Sequence, residues 1–124
     1  MKINEIFDFV QVYHQIENDK MAVSTAYHLS KIAKKAQEAL TFYQETYNKN
    51  LEQYAEPDEE KGGFKLTEDQ KNFILKEDTI EEAKEAFNEL NEHDFPMPTI
   101  SFDELKQLSI SPPDLSKIMP FIEE

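Results

Sequence analysis

The sequence predicts a mainly α (α+β) fold: a long central helix packed by two shorter helices, with a small β-hairpin and short C-terminal helices. Three observations carry this. Apolar residues recur in steps of three and four through about 30 positions ahead of Pro57. Two shorter stretches, one on either side, share that period. Between the long stretch and the second short one lie the only two glycines, Gly62 and Gly63, and then short apolar runs broken by a polar turn.

The first helix is expected over residues 3–17. Ile3, Ile6, Val10 and Tyr13 form its stripe, and Phe7, Phe9 and Ile16 widen it. Asn18, Asp19 and Lys20 interrupt the pattern. The long helix is expected over 24–54, with Ser24 as its N-cap. Its row is Ala26, Leu29, Ala33, Ala36, Leu40, Tyr43, Tyr47, Leu51 and Tyr54, and Pro57 closes it. Such a helix is roughly 45 Å long. A compact domain of this chain length is about 35 Å across. The two shorter helices, laid end to end, nearly cover it, so a monomer suffices and a homodimer is the other option.

Ala55–Gly63 is polar and reads as a loop. Residues 64–76 are expected to form a hairpin, with Phe64-Lys65-Leu66-Thr67 and Asn72-Phe73-Ile74-Leu75-Lys76 flanking the turn Glu68-Asp69-Gln70-Lys71. Thr67 and Gln70 also fit a capping box, so a short helix competes with that reading. An acidic helix follows over 79–93. Asp78 and Thr79 are its candidate caps, and Ile80, Ala83, Phe87 and Leu90 its apolar stripe. Asp94, Pro96 and Pro98 end it. Met97–Phe102 reads as extended. Short helices are expected over 101–122, started by Ser101 and by Ser111 ahead of Pro112. The chain reads as one domain, 1–124, with no internal repeat and no low-complexity tract.

Composition narrows the chemistry. There is no cysteine, which removes disulfides, thiolate metal sites and thiol catalysis. No apolar run reaches membrane length, and Glu5 and Asp8 interrupt the N-terminal apolar stretch, so neither a membrane span nor a signal peptide is read there. The net charge is −13, and every one of the 13 basic residues is a lysine. Arginine's planar fork is the usual grip on phosphate and bases, so direct nucleic-acid binding is not expected. Residues 56–94 carry a net charge of −9, against −1 for 1–55 and −3 for 95–124.

Catalytic motifs are missing. With only two adjacent glycines, no phosphate-cradling or nucleophile-elbow motif can be built. His14, His28 and His93 lack helical ligand spacing, so neither metal nor cofactor is expected. His93 reads as a helix-end histidine near terminal carbonyls. An EF-hand counted from Asp58 fails, because Gly62 stands at its fifth position. The carboxylates Glu81, Glu82, Glu85, Glu89 and Glu92 read as a solvated helix face or as a docking surface for a basic partner. Tyr43, Tyr47 and Tyr54 read as core or as a recognition strip, since tyrosine is favoured at interfaces.

The order of motifs carries a resemblance. VSTAYHLSKIAKKAQEAL (Val23–Leu40) leads to LEQYAEPDEEKG (Leu51–Gly62), then GFKLTEDQKNFILK, an acidic helix and DELKQLSISPPDLSKIMPFIEE (Asp103–Glu124). This resembles a family of small uncharacterised phage and prophage proteins of low-GC Gram-positive bacteria. The double proline Pro112-Pro113 departs from the single proline of that pattern. The resemblance implies origin and fold more than activity, and it carries over no catalytic residues. Taken with the missing catalytic motifs and the acidic, aromatic-bearing helical surface, it leads to the expectation of a non-enzymatic accessory protein with a protein partner, in the bacterial host cytoplasm or associated with a virion. The runner-up reading is an acidic inhibitor of a host or defence nucleic-acid-binding protein, its carboxylates imitating phosphate charge, and the third is an enzyme using helix carboxylates.

Overall fold

A computed structural model describes residues 1–69 and 72–123 of the chain. The fold is mainly α. Its elements are α1 (Ile3–Ile16), α2 (Val23–Tyr54), a 3₁₀ turn (Glu77–Thr79), α3 (Ile80–Glu92), β1 (Ile100–Ser101), α4 (Phe102–Leu105), α5 (Pro112–Ile118), a second 3₁₀ turn (Met119–Phe121) and β2 (Ile122–Glu123). The chain packs as two compact units. One joins Met1–Phe42 to His93–Glu124, and the other is Tyr43–Glu92.

In the first unit, α1 buries Ile3, Ile6, Phe9, Val12 and Ile16. Phe9 meets Phe121 with ring centroids 4.8 Å apart. Val10 and Tyr13, expected in the stripe, are half-buried, and Phe7 is exposed. The helix starts as its first turn requires, with the Glu5 carboxylate accepting the Lys2 N–H at 3.0 Å.

The N-terminal part of α2 buries Thr25, Leu29, Ile32, Ala36 and Ala39. Leu29 and Ala36 of the expected row are buried, whereas Thr25, Ile32 and Ala39 take the places of their neighbours Ala26, Ala33 and Leu40, which are only half-buried. Thr25 explains part of this. Its hydroxyl accepts the Gln107 amide at 2.8 Å, which lets a polar side chain sit in the core. Ser24 is not the N-cap. The helix begins at Val23, and the Ala22 carbonyl accepts the Ala26 N–H at 3.0 Å.

The short C-terminal helices form where expected. Ser101 caps α4 by accepting the Glu104 N–H, and Ser111 caps α5 by accepting the Asp114 N–H. The extended stretch after α3 pairs with the C-terminal end of the chain, β1 and β2 lying parallel with Ile100 opposite Ile122.

The second unit contains a feature the sequence reading missed. Three segments, 54–58, 63–67 and 72–76, close on one another through single antiparallel bridges: Pro57 to Phe64, Leu66 to Phe73, and Leu75 back to Ala55. At the centre, the Lys65 N–H donates to the Glu56 carbonyl (2.8 Å), the Ile74 N–H to Lys65 (2.9 Å) and the Glu56 N–H to Ile74 (2.8 Å). Three equivalent outer bonds run from Asp58 to Gly63, Thr67 to Asn72 and Lys76 to Tyr54, at 2.8–3.0 Å. The expected 64–76 hairpin is therefore two sides of a three-sided ring. Gln70 and Lys71 of its turn lie outside the described residues.

The sequence carries the same arrangement as a nine-residue repeat: AEPDEE from Ala55, FKLTED from Phe64 and FILKED from Phe73. The expectation of no internal repeat is corrected on this point. The period is shorter than those of stacked repeat folds, and the first copy hides it by placing alanine and proline where the others have phenylalanine and leucine. Each position has a structural meaning. Ala55, Phe64 and Phe73 turn inward, with the two phenyl rings edge-to-face at 6.1 Å. Glu56, Lys65 and Ile74 are the three central links.

The first corner needs its glycines. Gly62 and Gly63 have φ of 79° and 70°, a region that costs an L-residue. Asp58 Oδ1 accepts the Glu60 and Lys61 N–H groups at 3.1 and 3.2 Å, fixing the other half of that corner. Gly62→Ala meets no steric contact but takes the backbone penalty, so it should cost about 1–2 kcal/mol in urea unfolding. Because the central bonds close a cycle, the Glu56, Lys65 and Ile74 amides should exchange with deuterium at one shared rate, and that rate should rise at all three in the variant.

Candidate functional site

The residues singled out from sequence fall in the Tyr43–Glu92 unit. Tyr54 belongs to its core at 9% exposure, with Leu51, Ala55, Ala83 and Leu90. Tyr43 and Tyr47 are half-buried. Their rings stack at 6.0 Å, and Tyr47 meets Phe87 of α3 edge-on at 5.4 Å. The Tyr43 hydroxyl donates to Asn91 Oδ1 at 3.2 Å. The tyrosine end of α2 is therefore a seam against α3 that leaves part of two rings in solvent.

Partial burial raises the Tyr43 pKa, and the neighbouring Tyr47 phenol raises it further. The sign follows directly. A raised folded value favours the protonated phenol, so this contribution to stability is intact below the usual value of 10.0 and is lost as pH rises through the folded one.

α3 carries the acidic face. Glu81, Glu82, Glu85, Glu89 and Glu92 are all exposed, while Ala83 and Leu90 are buried and Phe87 half-buried. The expected caps do not form. A 3₁₀ turn precedes the helix, and the Thr79 hydroxyl is buried without a hydrogen-bond partner among the described residues. Glu81, Glu85 and Glu89 follow one another at a spacing of four, where like charges repel. Their carboxylates have no ion pair or hydrogen bond among the described residues.

The ring adds a second surface to this unit. Above it lies an open depression of about 1190 Å³. Its lining includes Glu56, Lys65 and Ile74 from the ring's centre, Leu66, and the corner residues Glu59, Glu60 and Glu68. Leu66 is 43% and Ile74 36% exposed, so two large apolar side chains stand in solvent beside carboxylates. Sequence reasoning took this stretch for a hairpin and a loop. The repeated Phe-x-Leu-x-Glu-Asp pattern was the available signal.

The first unit holds different arrangements. His28 Nδ1 lies 2.8 and 2.9 Å from the two Glu104 carboxylate oxygens, tying α2 to α4. The His93 ring packs edge-on against Phe95 at 4.6 Å and lies 5.9 Å from Phe42, in place of the expected contact with terminal carbonyls. The N-terminal ammonium pairs with Asp94 and donates to the Phe95 carbonyl at 2.9 Å; that pairing holds the Asp94 carboxyl below its usual range. An apolar cleft of about 550 Å³ lies between Phe102, Leu115, Met119 and Ile122.

Among the described residues, no group of three histidine, aspartate or glutamate side chains converges as a metal site, and no helix is long and apolar enough to cross a membrane. No protein-family model matches the chain, and neither a curated protein nor a solved structure does.

Two measurements probe this unit. In an ultraviolet titration of the tyrosines, Tyr47→Phe should bring Tyr43 ionisation to lower pH, because it removes the second phenolate but keeps the ring. Glu85→Lys should raise stability by about 0.5–1 kcal/mol in thermal or urea unfolding, since it turns two like-charge pairs into opposite-charge ones.

Proposed function

We propose that this chain is a non-enzymatic phage or prophage accessory protein that acts through protein–protein contacts, in a virion or during its assembly, and that the Tyr43–Glu92 unit makes the contact. The observation that carries the contact reading is the run Glu81, Glu85 and Glu89 on α3, exposed and making no ion pair among the described residues. Each like-charge pair costs roughly 0.2–0.5 kcal/mol of helix stability. A face that keeps this cost recovers it when a cationic surface covers the carboxylates. The half-buried Tyr43 and Tyr47 rings border the same helix and add the apolar area that salt does not screen. The phage assignment rests on the order of sequence motifs from Val23 to Glu124.

The same charge supports a second reading, an acidic inhibitor of a host or defence nucleic-acid-binding protein, because 56–94 carries a net −9. The partner's identity separates the two. Cross-linking in infected cells followed by mass spectrometry should recover capsid, tail or assembly proteins. Recovery of a nuclease, polymerase or defence effector instead replaces the first reading with the second. In either case, Glu81→Lys, Glu85→Lys and Glu89→Lys together should abolish the cross-link, and an unchanged yield overturns the contact assignment.

A further inference from the structure

The link between α2 and α3 is longer than the geometry of joining two helices requires. Helix–helix connections usually take about 2–8 residues, whereas here the chain spends Ala55–Lys76 on a closed ring before the 3₁₀ turn that leads to α3. We propose that the solvent face of this ring is a docking surface for an amphipathic helix of a partner protein, one that carries lysine or arginine beside leucine or isoleucine. The proposal rests on the protein-contact reading above and names its surface and partner chemistry.

Charge selects the basic side chains. Three lysines line the depression: Lys65 pairs with Glu56 at 3.7 Å, Lys76 Nζ donates to the Gln53 carbonyl at 3.3 Å, and Lys61 stands at the first corner beside Glu59 and Glu60. The rim carboxylates of Glu59, Glu60 and Glu68 make no ion pair among the described residues. Five carboxylates against three lysines among the described lining residues leave this surface net negative around its apolar floor.

The floor selects the apolar side chains. Leu66 and Ile74 are exposed at 43% and 36%, and a purely ionic partner leaves them in water. Exposed ion pairs alone are weak and screened within about 8 Å at physiological salt. Burying both side chains supplies the part of the affinity that salt does not remove.

Closure selects the helix. An open sheet edge recruits an extended peptide through its free backbone groups. At the centre of this ring, the Glu56, Lys65 and Ile74 N–H groups are all consumed by the cycle. The backbone of these three residues, which line the depression, is already paired, so recognition at its floor falls to side chains. A helix presents side chains of both kinds at i and i+4 without needing backbone partners.

Two synthetic helical peptides of about 18 residues test this against the full-length chain. One places lysine and leucine on a shared face. The other keeps the same lysines and replaces leucine by glutamine. In amide-resolved NMR titrations, the lysine–leucine peptide should shift resonances in 56–76 and bind at least about tenfold more tightly than the lysine–glutamine one. Leu66→Ser with Ile74→Ser should erase that difference. Equal binding of the two peptides overturns the proposal using the unaltered chain alone. Shifts confined to α3 overturn it while leaving the acidic-contact reading in place. If neither peptide binds, both readings fall.

Discussion

The constraint on which everything else depends is the covering of α2. A helix of 32 residues is not stable in water through backbone bonding alone and holds its form where its apolar rows meet other elements. Its apolar character changes along its length. From Thr25 to Ala39 the buried residues are small or aliphatic, and they share a unit with α1 and the C-terminal segments. From Tyr43 onward the row becomes aromatic, and it shares a unit with α3. Small side chains permit close approach, whereas tyrosines keep a hydroxyl at the solvent boundary. The aliphatic part thus suits a closed core, and the aromatic part a seam that stays partly wet.

Much of this was legible in the sequence for a simple reason. The steps of three and four that predict α1, α2 and α3 are the same steps that place side chains on one helix face, and burial then follows. Ser101 and Ser111 were readable as caps because their chemistry is local. Ser24 was not, because the Ala22 carbonyl opens the helix ahead of it. The burial of Thr25 in place of Ala26 was also beyond local reasoning. It depends on Gln107, 82 residues away from Thr25, supplying the donor that makes a core threonine tolerable.

The ring was hidden for the opposite reason. Its three segments each look like an ordinary short strand, and pairwise pattern reading stops at the best pair. What joins them is a cyclic set of bonds in which no segment is first or last. The candidate surface was therefore only half visible: the carboxylates of α3 followed from helical spacing, but Leu66 and Ile74 had no reason to be singled out until closure set them on one exposed face.

Closure also fixes a number. With nine residues to a copy, a three-sided ring satisfies each central donor with the preceding copy's acceptor, the first copy closing on the third. Each copy takes part in two of the three central bonds, one as donor and one as acceptor. Open stacked repeats grow or shrink by whole units with little penalty, because a new copy simply lengthens the stack. This segment cannot drift in that way. Loss of one copy breaks two of the three central bonds, so geometry ties the copy number more tightly than the identity of any one residue.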